Sequence, residues 1–198
     1  MQGSVKSLGF DKTSCGGLQI TGASREEYSE VRLFYHSLID SMQGSPFHPM
    51  WQKDIYPSQE DLQSAVREHS LYIGRVGRRI AAAMVLNQRC NEEYNTALWF
   101  RDLQPDEYMV IHMLGVHSDF AGNGYAKQMV LFALDHARSA GMKAVRLDVL
   151  RGNLPAEKLY ERLGFRHTDT RAMYYEDTGW TDFMLYEYDL EVRRDGSV

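Results

Sequence analysis

Leu114-Gly115-Val116-His117-Ser118-Asp119-Phe120-Ala121-Gly122-Asn123-Gly124-Tyr125-Ala126 is the stretch on which the fold turns. Before it, residues 109–116 carry few polar side chains and read as a strand central in a sheet. After it, Ala126, Met129, Val130, Ala133 and Ala137 recur at helical spacing and Gly141 stands where a helix would end, so a helix is expected over 125–140. A strand that bends through Gly122 and Gly124 into a helix presents unpaired amides and a partial positive charge, which suit a phosphate. As a bare pattern the bend serves a tight strand-to-helix connection equally well with no ligand. A nicotinamide fingerprint needs a third small residue where Lys127 stands, and a P-loop needs a Gly-Lys-Ser/Thr that does not follow.

Working outward, a short apolar alternation at 18–20 is followed by Ser24 and Glu27 at capping-box spacing, and then by a helical stripe of Val31, Phe34, Tyr35, Leu38 and Ile39. Ser58 with Asp61 opens a second helix whose Leu62, Ala65 and Val66 share a face. Between them, residues 43–57 combine Pro46, Pro49 and Pro57 with Phe47, Met50, Trp51 and Tyr56, an irregular loop with large apolar side chains of the kind that line pockets. Runs at 71–76 and 80–86 around Gly77 predict a hairpin, with a long connection over 87–107. Downstream come a buried strand at 144–150, a helix at 154–163 ended by Gly164, and a closing antiparallel pair at 165–175 and 183–190. The order is strand, two helices, three strands, helix, strand, helix, two strands, which predicts an α/β (α+β) fold with a mixed sheet covered by helices on both faces.

The 198 residues, 43% of them hydrophobic, suffice for one domain, expected over 18–190, with a polar leader at 1–17 and a disordered tail at 191–198. Lys and Arg number 22 against 27 Asp and Glu, a net charge of −5 that offers nucleic acid no electrostatic attraction. No apolar run approaches the roughly 20 residues of a membrane helix. Cys15 and Cys90 are far apart and lack neighbours at ligand spacing, so neither a disulfide framework nor a metal site is expected, and a reducing cytoplasm fits best.

A second motif follows at Asn153-Leu154-Pro155-Ala156-Glu157-Lys158-Leu159-Tyr160-Glu161-Arg162-Leu163-Gly164-Phe165. With Ala121-Gly122-Asn123-Gly124-Tyr125-Ala126 before it, the chain resembles the GNAT superfamily of acetyl-CoA-dependent N-acyltransferases. The first stretch is similar to that family's Gln/Arg-x-x-Gly-x-Gly/Ala bend, with Ala121 in place of Gln or Arg. The second is similar to its Asn-x-x-Ala-x-x-hydrophobic-Tyr-x-x-x-Gly-Phe helix. The resemblance implies the GNAT fold, acetyl-CoA as cofactor, and a pyrophosphate gripped by the backbone of Ala121, Gly122, Asn123, Gly124, Tyr125, Ala126 and Lys127. It also implies a strand bulge at Leu114 and Val116, eased by Gly115, that pairs with the pantetheine arm and polarises the thioester.

Asn153 matches the position that bonds the cofactor arm, although Asn at a helix start also caps, and Ala156 would matter by being small. Tyr160 stands where the family keeps its general acid, or else packs on the sheet with its hydroxyl at the rim. His112 has a spacing like that of a proton-relaying histidine in the arylalkylamine branch. It is otherwise a hydrogen-bonded core residue, and His117 is the alternative base. Asp148, inside an apolar strand, must pair with Arg146 or another neighbour, or face the substrate cleft. The family's substrate-selecting elements implicate Phe47, Trp51, Tyr56, Tyr174, Tyr175 and Tyr186.

The expected activity is therefore direct acetyl transfer from acetyl-CoA to a primary amine, on a small molecule or on a peptide N-terminus or lysine, without metal. A non-catalytic acyl-CoA sensor is the other class of reading, and the closing strand pair would give a homodimer an edge to pair through.

Overall fold

The computed structural model describes residues 17–47 and 49–192. The expected leader over 1–17 and tail over 191–198 thus fall almost wholly outside the described residues. The elements run β1 (Gln19–Gly22), α1 (Tyr28–Met42), α2 (Gln59–Arg67), β2 (Leu71–Val76), β3 (Arg79–Asn87), β4 (Tyr108–Val116), α3 (Tyr125–Ser139), β5 (Ala144–Leu150), α4 (Leu154–Leu163), β6 (Arg166–Tyr175) and β7 (Gly179–Asp189). The seven strands form one sheet in the order β1-β2-β3-β4-β5-β7-β6. Neighbours are antiparallel throughout except β4 and β5. That parallel pair requires a crossover, and α3 supplies it. The mixed sheet with helices on both faces matches the element order expected from sequence.

Two boundaries differ. The Ser58–Asp61 capping box forms in full at α2. At α1 only half of the expected box forms: the Ser24 amide donates to Glu27 Oε2 at 2.8 Å, while the helix itself starts at Tyr28. Strand β7 begins at Gly179 rather than at 183, because a tight turn after Tyr175 sets Trp180 directly opposite Tyr174.

The sheet separates two apolar layers, and β3 shows why it reads as uniformly apolar. Its Ala82, Met84 and Leu86 join Met129, Val130, Ala133 and Leu134 of α3 on one face. Its Ala83 and Val85 join Phe34, Tyr35 and Leu38 of α1 and the α2 residues Leu62 and Val66 on the other. On β5, Arg146 is also buried, paired with Glu187 of β7 at 2.8 Å and flanked by Trp99 and Tyr108 at 4.2 and 4.1 Å. Arg146 is therefore the partner of Glu187 and leaves Asp148 to other neighbours.

Strand β4 breaks its own alternation. Between the pairs Ala83↔Gly115 and Val85↔His112 it advances three residues while β3 advances two, a bulge with one extra residue. The extra residue adopts a left-handed conformation at Met113, φ +53°, rather than at Gly115. The inserted residue reverses the facing of everything after it. Ile111, Leu114 and Val116 lie against the α3–α4 layer, and Gly115 is turned toward α1. A Cβ on Gly115 would sit 2.3 Å from Leu38 Cδ2, so glycine is needed here for close approach rather than for dihedral freedom. The Tyr35 hydroxyl, carried on α1, donates to the Met113 carbonyl at 3.0 Å and pins the bulge from below.

Gly115→Ala should lower the free energy of unfolding by about 1–3 kcal/mol, the usual cost of overpacking, because Leu38 is itself wedged in the core. Denaturant titration checks this, and a neutral result would mean that the bulge does not depend on that contact.

Candidate active site

Strands β4 and β5 pair only at Tyr108↔Ala144, Met109↔Val145 and Val110↔Arg146, and then part. From there β4 keeps β3 and β5 keeps β7. The gap opens into a cavity of about 490 Å³. Its walls are residues 111–116 of β4 and 148–150 of β5, with α4 at one end and the 43–57 loop and the β6–β7 turn at the other.

At the α4 end, Gly122 and Gly124 both take positive φ, 79° and 74°. Gly124 is the N-cap of α3 and supplies no side-chain cap, so the first amides of the helix keep their donors. Small side chains at Ala121, Ala126 and Ala156 line the cavity beside them. Tyr125 is buried and anchors the turn, Asn123 spends its side-chain amide on the Phe120 and Ala121 carbonyls, and Lys127 is exposed on the first turn. Asn153 lines the cavity and caps α4 by accepting from the Ala156 amide. Unpaired β4 backbone, small side chains and a free helix start fit the pantetheine and pyrophosphate of acetyl-CoA.

In the middle of the cavity lie His112, Asp148 and Tyr160. His112 Nε2 faces the Arg89 carbonyl at 3.0 Å, a contact in which the ring nitrogen donates. The other ring nitrogen is then the one able to accept a proton. Burial pushes the imidazole below the ordinary histidine range, with the Asp148 carboxylate opposing. Asp148 accepts from the Tyr94 hydroxyl at 2.7 Å and from the Tyr175 hydroxyl at 3.3 Å, while burial raises its pKa above the usual carboxylate range. Tyr160 enters from α4, its ring edge-on to Phe165 at 5.4 Å, and burial drives its phenol well above its ordinary value. His117 is not in this group. Its two nitrogens are engaged by the Ser37 hydroxyl and the Asp119 amide.

At the far end, Phe47, Trp51 and Tyr56 of the loop face Tyr175, Asp177 and Phe183. Trp51 contacts Tyr35 and Tyr56, and Tyr56 contacts Tyr175, in one run of aromatic rings. The loop is held to α1 by Arg32, which grips Asp54 with two nitrogens at 2.9 and 2.6 Å, by His36 on the same carboxylate, and by Lys53 on Asp40. Arg32, and then His36, hold the Asp54 carboxyl down at about 2.

A family model for acetyltransferases of the GNAT family matches residues 35–165, more than half of the chain. The chain belongs to the GNAT acetyltransferase family. Among curated relatives, the uncharacterised N-acetyltransferase YycN of Bacillus subtilis is 44% identical over 66 residues, 33% of this chain and 42% of that protein. The mycothiol acetyltransferase of Corynebacterium glutamicum is 34% identical over 76 residues, 38% and 26% of the two chains. The chain thus spans less than half the length of these relatives. Among solved structures, a GNAT-family acetyltransferase of Streptococcus agalactiae superposes with a TM-score of 0.72 at 17% identity, covering 87% of this chain and 95% of that one. The yncA acetyltransferase of Salmonella typhimurium, solved with its cofactor acetyl-CoA, superposes at 0.65 and 13% identity over 92% and 99%. At these identities the likeness is one of fold.

Two of the expected pocket residues of this GNAT domain lie elsewhere. Tyr174 is 45% exposed and meets the tilted ring of Trp180 outside the cavity, because its neighbour Tyr175 takes the inward position on β6. Tyr186 is 0% exposed within the α3–α4 layer, beside Tyr160 and His167, since it alternates with Phe183 and Leu185 on β7. Asp177 escaped the sequence reading altogether. Within Glu176-Asp177-Thr178-Gly179 it looks like ordinary turn chemistry, and only the pairing of β6 with β7 shows that the turn closes the cavity.

Arg32→Ala should raise the KM for the acceptor several-fold and leave that for acetyl-CoA unchanged, because the loop it secures touches only the far end. Steady-state kinetics with each substrate varied separately would test this, and equal effects on both would contradict the division of the cavity.

Proposed function

We propose that this chain is an acetyl-CoA-dependent N-acetyltransferase whose acceptor is a primary amine attacked directly, with His112 as base and Tyr160 as acid. The observation that carries this reading is that His112 of β4 and Tyr160 of α4 line one cavity, where β4 and β5 part and the backbone of β4 has no partner on its β5 side. The cofactor supplies an activated acetyl thioester. The chain's own groups supply the rest: the amides at the start of α3 hold phosphate, and the backbone of Leu114 and Val116, beyond the end of the pairing with β5, meets negative charge on a carbonyl oxygen. The accepting nitrogen of His112 takes the proton from an arriving ammonium, directly or through one water. The Tyr160 hydroxyl gives a proton to a departing thiolate.

A sensor that only binds acyl-CoA would need neither group, and their joint burial favours the enzyme. A cytoplasmic setting and a small-molecule acceptor belong to the same proposal. Peptide N-termini and lysine side chains are the competing acceptors.

The test is coenzyme A release, followed with a thiol reagent, across a panel of amines. Tyr160→Phe and His112→Ala should each lower kcat by about 10²- to 10⁴-fold while acetyl-CoA still binds. Bound cofactor with no amine-dependent release would sink the enzyme reading, and unchanged turnover in both variants would remove the acid and base assignments.

The pH dependence follows from the two shifts. His112 must be neutral to accept, and its depressed value lets kcat hold through about pH 6.5, where an ordinary histidine would be half protonated. The fall comes only at lower pH. Tyr160 must stay protonated, and its raised value leaves no alkaline loss up to about pH 10. A kcat profile with its acid limb at or above the ordinary histidine value would contradict the role given to His112.

A further inference from the structure

The far end of the cavity carries a carboxylate that the reaction does not use. Asp177 is only 8% exposed, it belongs to the cavity lining, and its Oδ1 has no hydrogen-bond partner among the described residues. It is the one buried side-chain polar atom so placed among those residues. Glu187 is buried but answered by Arg146 and by the Arg101 amide, and Asp148 is answered by Tyr94 and Tyr175. Asp177 receives only the amides of its own turn, its backbone carbonyl being held by Gln52 Nε2 at 2.9 Å. The cavity lining contains no Lys or Arg among the described residues, so the field at this end is negative. Tyr56 lies close enough to feel Asp148, Asp61 and Asp177 together.

A buried carboxylate with no cationic partner and one oxygen left without a hydrogen bond is costly to keep unless something cationic meets it. The cofactor cannot, since its phosphates belong at the opposite end and carry the same sign. We infer that the acceptor is an amine bearing a second cationic group, an ammonium or guanidinium joined to the reacting nitrogen by an apolar spacer, and that Asp177 binds that second charge. The spacer would lie along Trp51, Tyr56 and Tyr175, whose ring faces also favour a cation. Burial pushes Asp177 up to about 6, so the group is ionised at neutral pH, with the amides of Asp177 and Thr178 on its carboxylate, Gln52 on its backbone carbonyl and Tyr56 within its field.

This inference rests on the amine-acetyltransferase reading, and the experiment separates the two. Linear α,ω-diamines and n-alkylamines of matched length are compared as acceptors. The diamines should have kcat/KM values about ten- to a hundredfold higher, the range for a hydrogen bond to a charged group. Asp177→Asn should collapse that ratio toward one, chiefly through the diamine KM, and Asp177→Glu should restore part of it. A bis(trimethylammonium)alkane, which cannot be acetylated, should bind the native protein by calorimetry and bind Asp177→Asn more weakly. Equal use of monoamines and diamines by the native protein would overturn the inference and leave the activity standing, whereas no amine turnover at all with acetyl-CoA bound would overturn both.

Discussion

Strands β4 and β5 are paired for three residues and then separate, and the chemistry of the molecule depends on what keeps them apart. The cause lies in β4. One extra residue at Met113 reverses the facing of Leu114, Gly115 and Val116, so β4 ceases to run in step with β5 beyond Val110. Three contacts hold this arrangement. The Tyr35 hydroxyl takes the Met113 carbonyl, Leu38 fills the space that a side chain at Gly115 would need, and Leu114 and Val116 rest against the α3–α4 layer. Helix α1 is therefore more than a cover for the sheet, since two of its buried residues set the shape of the active strand.

The same separation accounts for the electrostatics. Inside the gap, burial dominates every titratable group, so the imidazole of His112 is kept neutral and the phenol of Tyr160 is kept protonated. Those are the states a proton acceptor and a proton donor need before a reaction begins. Asp148, whose pKa burial raises, is kept in place by two tyrosine hydroxyls and has no cationic partner among the ion pairs of the described residues. The buried ion pair of Arg146 with Glu187 lies on neighbouring strands just before the parting and fastens β5 to β7 where β5 loses β4.

Much of this was legible in the sequence, for identifiable reasons. Glycines at 122 and 124 and the Asn153 to Phe165 helix are local signals, because positive φ and caps are properties of a few adjacent residues. The element order followed from hydrophobic periodicity, which survives without knowledge of contacts. What could not be read depended on pairing. Whether Tyr174 or Tyr175 faces inward is a matter of parity on β6, fixed by its register with β7, and the same parity carries Tyr186 away from the cavity. Gly115 was legible as a site of backbone irregularity, but its need for close approach to Leu38 becomes visible only when α1 is docked. Asp177 sits in a stretch whose composition is that of any turn, and its isolation is a property of the folded cavity.

The position of bound acetyl-CoA decides whether the parted strands form the active site. A crystal structure of the complex should show the pyrophosphate on the backbone amides of residues 122–127 and the thioester carbonyl within hydrogen-bonding reach of the Leu114 or Val116 amide, between the parted strands. Density for the cofactor anywhere else, or a β4 that closes onto β5 beyond Val110 when it binds, would contradict it.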